Sequence, residues 1–342
     1  MKVYGRSFIG CGRQEDYDMT RKLGEGTFGE VHKAKAKATG HNVALKRILM
    51  HNEKEGMPVT ALREIKILKA LKHKNIIELL DMFVVHSTGK DEPLSVYMVF
   101  PYMDHDLAGL LENPRVSLSP SHIKLYMKQL LEGTEYMHKN HILHRDMKAA
   151  NLLISNDGSL KIADFGLARS YDPNTVKIPE SDTTRGRDKR YTNCVVTRWY
   201  RPPELLLGAR RYGGEIDMWG VGCVLGEMFH RRPILCGTSD LDQLEKIWTM
   251  CGTPNQHNWP NFDMLPGCEG VKHFTYKQRQ IKNMFDSLGP ETFDLLDKLL
   301  TCNPALRITA TDALKHEYFW TDPLPADPKT QASHEFDKRG RR

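Results

Sequence analysis

Short strand-like apolar runs dominate this chain up to about Met103, and apolar residues at helical spacing dominate after it. The segments flanking Gly24 to Val31, the run ending in Val43-Ala44-Leu45-Lys46, and Val96 to Phe100 each read as strands, with polar His86 to Pro93 as a turn between strands. One helix interrupts them. Pro58 can occupy its first turn, and Leu62, Ile65 and Leu68 recur at helical spacing with Glu64 among them, facing inward. Farther on, His122 to His138 and Glu215 to Phe229 carry apolar positions near the 3.6-residue period, followed by Asp240 to Met250 and Glu291 to Leu300. Strands first and helices after predict an α+β chain: a small antiparallel sheet with one helix, then a larger helical part. No internal repeat is visible.

Onto those elements the sequence places chemistry in a fixed order: HRDMKAAN (His144 to Asn151), DFG (Asp164 to Gly166) and PPE (Pro202 to Glu204). That set suits phosphoryl transfer, where the protein aligns a hydroxyl with the γ-phosphate and neutralises charge on its oxygens. Gly24-Glu25-Gly26-Thr27-Phe28-Gly29-Glu30-Val31 lies between strands, and its glycines let a hairpin close over phosphates. The same GxGxxG pattern marks dinucleotide-binding folds, but there the third glycine opens a helix, whereas here Val31 leads into a second strand. Lys46 in an apolar strand needs a partner, and Glu64 on the following helix supplies the carboxylate. The Lys46–Glu64 pair aims the ammonium at the α- and β-phosphates. Asp164 and Asn151 offer hard oxygen ligands for Mg²⁺, Asp146 accepts or orients the substrate hydroxyl proton, and Lys148 reaches the transferring phosphate. His144 and Phe165 read as packing residues. A scaffold without catalysis would lack at least one of Lys46, Asp146, Asn151 and Asp164, and all four are present.

From about Tyr17 to Phe319 the chain resembles a eukaryotic protein kinase, which implies a bilobal fold. Its expected parts are an N-terminal extension 1–15, an N-lobe 16–103, a C-lobe 104–320 containing the activation segment 164–204, and a C-terminal tail 321–342. Pro58-Val59-Thr60-Ala61-Leu62-Arg63-Glu64 and Tyr191 to Glu204 resemble the cyclin-binding helix and activation segment of the cyclin-dependent kinases. PVTALRE, the HDLAGLL run from His105 and HRDMKAAN resemble that family's transcription-elongation branch, which holds the catalytic subunit of positive transcription elongation factor b and its fungal relatives. The nearest alternative is the neighbouring elongation kinase acting on the polymerase tail, which YMDHDL (Tyr102 to Leu107) resembles as well.

The resemblance implies ATP and Mg²⁺ as cofactors. Gly24, Glu25, Gly26, Gly29, Val31, Ala44, Lys46, Asn151, Leu153 and Asp164 correspond to nucleotide-binding positions, with Phe100 as gatekeeper. Pro101 and Met103 would face adenine, and Asp106 would lie near the ribose; Pro101 lacks an amide hydrogen, but that position needs only its carbonyl. Thr192 stands at the activating phosphorylation position, with Arg63, Arg145 and Arg169 as the arginines that receive its phosphate. Glu204 is expected to pair with Arg307, and Asp217 to cap the catalytic loop's backbone. Val196, with an unusual backbone, and Arg201 imply Ser-Pro and Thr-Pro sites. The implied partners are a cyclin of T or K type, an activating kinase acting on Thr192, and as substrates the RNA polymerase II C-terminal repeats and elongation factors. The implied location is the nucleus.

Three departures refine this reading. Thr27-Phe28 replaces the Thr-Tyr pair that cell-cycle members use for inhibitory phosphorylation, which weakens a cell-cycle role. Tyr171 to Arg190 is long and ends in the basic run Arg185 to Arg190: a solvated loop, or a docking strip for an acidic partner. Cys194 stands where cell-cycle members often place a glutamate that favours a downstream basic residue, so that demand should relax.

Composition agrees without being decisive. At 342 residues and 40% hydrophobic content the chain can bury one large core or two smaller ones. A net charge of +6 suits acidic or phosphorylated partners, but no aromatic-basic motif accompanies it, so no direct nucleic-acid binding is expected. Seven cysteines without CxxC spacing argue for free thiols in a reducing compartment and against a zinc site. Residues 1–16 lack an apolar targeting core and no run is long enough for a membrane span, so a soluble intracellular protein is expected. From Thr321 the chain turns Pro- and charge-rich and ends in Lys338 to Arg342, a tail whose basic run is a candidate import or docking signal.

Overall fold

The strand-rich and helix-rich parts separate into two compact units, Met1–Asp104 and His105–Arg342. The structure, a computed structural model, describes residues 2–3, 6–7, 11–26, 29–49, 57–85, 95–172, 191–192, 195–268 and 274–328. Thr27-Phe28, the His86 to Pro93 turn, most of the Tyr171 to Arg190 insertion, Cys194 and the basic end of the tail lie outside the described residues.

In the first unit a two-residue hairpin, β1 (Lys2–Val3) and β2 (Arg6–Ser7), precedes the main sheet. That sheet is antiparallel and five-stranded, built from β3 (Tyr17–Gly26), β4 (Gly29–Ala36), β5 (Asn42–Leu49), β6 (Asp81–Val85) and β7 (Ser95–Pro101), in the order β3-β4-β5-β7-β6. Ala34, Val43, Leu45, Phe83, Tyr97 and Val99 bury one face of it, and Phe83 stacks between Tyr17 and Tyr97 with ring centroids 5.4 and 4.9 Å away. Helix α1 spans Val59–Ala70. Pro58 stands just before its first residue, with extended ψ of 134°, so it initiates the helix from outside instead of occupying the first turn. The buried face is Ala61, Glu64, Ile65, Ile67 and Leu68. Leu62, read from sequence as part of that face, is exposed beside exposed Val59, and Ile67 takes its place in the core.

The second unit is mainly helical: α2 (Leu107–Glu112), α3 (Pro120–Lys139), α4 (Glu215–His230), α5 (Asp240–Cys251) and α6 (Pro290–Leu299), with several single turns. Local chemistry explains the starts. Ser119 Oγ accepts from the His122 amide while the His122 ring reaches back to the Ser119 amide, and Pro120 fills the first position of α3. Ser239 caps α5, and Asp106 caps α2. Helix α4 is buried on almost every side from Ile216 to Met228, because it runs through the core instead of along its surface. Small strands position the loops: β8 (His105–Asp106), β10 (Leu152–Ile154) and β11 (Leu160–Ile162) form one sheet, and β9 (Ile142–Leu143) pairs with β12 (Arg169–Ser170). Among the described residues no helix is long and apolar enough to cross a membrane.

Candidate active site

Strand register gathers the predicted nucleotide residues of the first unit. Gly24 pairs with Val31, Glu25 with Glu30, Gly26 with Gly29, Val31 with Lys46, and Ala44 with Phe100, while Pro101 pairs with Val43. Met103 lies just beyond, half-buried. Gly29 has φ of +135°, and a Cβ there would sit 1.8 Å from the Arg47 carbonyl oxygen, so glycine is obligatory at this corner of the hairpin. At Gly24 a Cβ would meet nothing within 4 Å, so any requirement for glycine there comes from outside the bare fold. Lys46 Nζ meets Glu64 Oε1 at 2.8 Å, with the two side chains 14% and 5% exposed. The pair joins β5 to α1 and satisfies both charges in a nearly dry setting.

In the second unit the His144 to Asn151 loop is held by Asp217 of α4. Asp217 accepts the amides of His144 and Arg145 at 3.0 and 2.9 Å and the His138 ring at 2.9 Å, as expected of a cap on this loop. Burial opposes the Asp217 charge, but the hydrogen bond and charge of His138 and the amides outweigh it and hold its carboxyl below the ordinary range. Arg145 adopts left-handed φ of 65°, a turn the two amide bonds to Asp217 help to secure. His144 does more than pack. Its ring meets Phe165 edge-on at 5.0 Å, its Nε2 lies 2.9 Å from the Ala163 carbonyl, and its Nδ1 accepts the Asp146 amide at 3.2 Å.

Asp146 is buried at the centre of a hydrogen-bonded group. Thr197 gives Oδ1 both its amide, at 3.1 Å, and its hydroxyl, at 2.8 Å. Lys148 Nζ lies 2.8 Å from Oδ2 and 2.9 Å from Thr197 Oγ1. Asn151 Nδ2 donates to the Asp146 carbonyl at 2.8 Å and to Oδ2 at 3.0 Å. Burial pushes the Asp146 carboxyl up, yet Lys148 and Thr197 outweigh it and keep it below the usual carboxylate range. Sequence reasoning did not assign Thr197 to this centre; it stood in the Val195-Val196-Thr197 triplet, read only for its backbone. Asp164 has left-handed φ of 59° at the start of the turn Phe165–Leu167. Leu153 pairs with Asp106 across β10 and β8, and Asp106 Oδ1 accepts the Gly109 amide at 2.9 Å as the α2 cap.

The activation segment is tied down at Thr192. Tyr212 Oη donates to the Thr192 carbonyl at 2.7 Å and receives Arg145 Nη1 at 3.1 Å, while Arg145 Nε holds the Leu167 carbonyl at 2.8 Å. The Arg169 guanidinium lies 4.7 Å above the Tyr191 ring, which packs 5.2 Å from Tyr212. Thr192 itself is exposed, and two of its three predicted arginines therefore flank it through two tyrosines. Tyr212 is isolated in the sequence, and nothing there announces this role. Arg63, half-buried on α1, belongs to the other unit.

Farther along, Val196 is buried with φ of 67°, a conformation costly for a β-branched residue. Arg201 secures it. Its Nη2 donates to the Val196 carbonyl at 3.0 Å, and its Nε to the Val195 carbonyl at 2.9 Å. Below, Glu204 and Arg307 form a buried two-pronged pair at 2.7 and 3.0 Å.

Among the described residues no group of three or more His, Cys, Asp or Glu side chains is placed to hold a metal ion. Residues 17–319 match the protein kinase domain. The chain is 55% identical over 340 residues to the probable cyclin-dependent kinase 9 of Schizosaccharomyces pombe, covering 98% of this chain and 58% of that protein. It is 56% identical over 341 residues to the serine/threonine-protein kinase bur1 of Emericella nidulans, covering 98% and 62%. With cyclin-dependent kinase C-1 of Arabidopsis thaliana the identity is 45% over 355 residues, covering 99% and 66%. The chain thus spans about six-tenths of the length of the curated relatives it matches first.

Proposed function

Because this chain belongs to the protein kinase family, we propose that it transfers the ATP γ-phosphate to serine or threonine followed by proline, as a cyclin-dependent kinase of transcription elongation. The observation that carries the proline requirement is Val196. Its positive φ turns the carbonyl toward Arg201, so the substrate residue after the acceptor finds no partner for an amide there. Proline has no amide hydrogen and loses nothing at such a position; any other residue would bury an unpaired donor.

Asp146, kept ionised by Lys148 and Thr197, accepts or orients the acceptor hydroxyl's proton. Lys148 reaches the transferring phosphate, and Lys46, held by Glu64, answers the α- and β-phosphates. The donor set fits Mg²⁺: Asn151 spends its amide nitrogen on Asp146, so its amide oxygen would serve as a ligand, and Asp164 would add a carboxylate. A bound Mg²⁺ would be held by these two hard oxygens together with substrate phosphates, and would supply charge neutralisation at the phosphate oxygens.

A cyclin partner is supported by α1, whose Val59 and Leu62 expose apolar side chains beside Arg63 on the helix that carries Glu64. Phosphorylation of Thr192 by another kinase would place about two negative charges beside Arg145 and Arg169, with Arg63 of the other unit as the third arginine the family resemblance assigns to it. The substrates that suit a proline requirement without a downstream basic demand are the RNA polymerase II C-terminal repeats and elongation factors with similar sites, and a kinase acting on them would work in the nucleus. The test is phosphorylation of repeat peptides by the cyclin-bound protein. Replacing the proline after the target serine with alanine should remove most activity, and indifference to that proline would overturn the reading.

A further inference from the structure

Arg201, which holds the Val196 carbonyl, also reaches Asp240 at the start of α5, with Nη1 3.3 and 3.4 Å from its two oxygens. The same carboxylate accepts Arg198 Nε at 3.0 Å. One anion is therefore shared by two guanidiniums. A second acid of α5, Asp242, is turned to the Thr238 amide and hydroxyl at 2.8 and 3.1 Å and to Lys246 at 3.6 Å, and a third, Glu245, to Lys277 at 2.6 Å. Among the described ion pairs of this region, Arg198, Arg201, Lys246 and Lys277 face Asp240, Asp242 and Glu245, which leaves one positive charge in surplus next to the proposed proline site.

Arg198 is also held in place. Its Nη1 donates to the Thr238 carbonyl at 3.1 Å, and neighbouring Trp199 donates Nε1 to the Gly237 carbonyl at 3.1 Å, so the turn Arg198–Tyr200 is pinned to one loop from two sides. The Arg198 side chain is nonetheless 44% exposed. A guanidinium pinned at one edge and open at the other is pre-organised to receive a second anion. In an ordinary surface position such a residue would need only its one carboxylate.

We propose that Arg198 is a specificity-determining residue favouring a carboxylate or phosphate on one of the two substrate residues that follow the proline. This rests on the proline-directed reading, since Val196 and Arg201 set where the proline lies. The Thr192 phosphate would not cancel the effect, because Arg145 and Arg169 flank that residue through Tyr212 and Tyr191 and would take up much of its charge. Together with Cys194 in place of an acid, Arg198 turns the downstream preference from basic to acidic.

The experiment measures kcat/KM of the cyclin-bound, Thr192-phosphorylated protein on matched peptides in which alanine, glutamate, phosphoserine or lysine follows Ser-Pro, with glutamate upstream of the serine as control. Downstream glutamate should gain about 3-fold over alanine, in line with a partly exposed ion pair. Phosphoserine should gain about 10-fold through its larger charge, and both gains should shrink as salt is raised. Arg198→Leu should bring the glutamate-to-alanine ratio to about one, and Arg198→Glu should invert the preference toward lysine; the ratio is unaffected by any general loss of activity. A gain that persists in Arg198→Leu, or an equal gain from upstream glutamate, would overturn the proposal. A strict proline requirement with no response to downstream charge sinks this inference alone. Failure to phosphorylate any Ser-Pro peptide sinks the proline-directed reading with it.

Discussion

Thr197 donates both its amide and its hydroxyl to one oxygen of Asp146, at 3.1 and 2.8 Å. The segment carrying Val195 to Thr197 thereby holds the carboxylate of the proposed catalytic base directly. Removing the hydroxyl should cost activity without unfolding the protein. Thr197→Val should lower kcat by about 10- to 100-fold, as a misaligned reacting group does, while Thr197→Ser keeps most of the rate. Steady-state kinetics with matched nucleotide-binding measurements checks this.

Asp146→Asn should retain folding and nucleotide binding and lose about two to four decades of turnover, the range of positioned acid-base catalysis. Asp164→Asn should instead lose productive Mg²⁺·ATP binding, because a metal ligand is gone. Near-normal rates in both variants would be incompatible with the proposed roles.

The pH profile carries a sign. The Asp146 carboxyl is held below its ordinary value, so activity that needs the carboxylate should persist as pH falls through the usual carboxylate range and fail only beneath it. Lys148 supplies the largest of the lowering effects and Thr197 a smaller one. Lys148→Met should therefore shift the acid limb of kcat/KM to higher pH more than Thr197→Val does.

The Glu204–Arg307 pair is buried, its side chains 4% and 0% exposed. Glu204→Ala leaves an uncompensated guanidinium in the core and should destabilise the protein by about 3–5 kcal/mol, read as a lower midpoint in denaturant unfolding. Because the pair also anchors the segment ending in Pro202-Pro203-Glu204, activity should fall in parallel with the folded fraction.

Activation should need both a partner and a phosphate. The isolated, unphosphorylated chain should be nearly inactive, and Thr192→Ala should stay poorly active with cyclin bound, since the arginines would lack their anion. Full activity of the isolated chain in a peptide assay would contradict this.

Much of this protein was legible in its sequence because its chemistry is local. Glycine spacing, the His144 to Asn151 run and the strand carrying Lys46 each place reacting groups within a few residues of one another, and periodicity alone located α3 and α5 to within a few residues. Contacts that join distant segments were another matter. Leu62 obeys the helical period yet faces outward, because periodicity marks a stripe and only packing decides which edge of it is covered. His144, Thr197 and Tyr212 acquired their roles from neighbours brought together by the fold: the Ala163 carbonyl, Asp146, and Arg145 with Thr192. The sharing of Asp240 between Arg198 and Arg201 spans about forty residues of chain and has no periodic or compositional signature. Spacing along the chain nominated the groups proposed to react; hydrogen bonds and burial, which depend on distances in space, decided how each is oriented and charged.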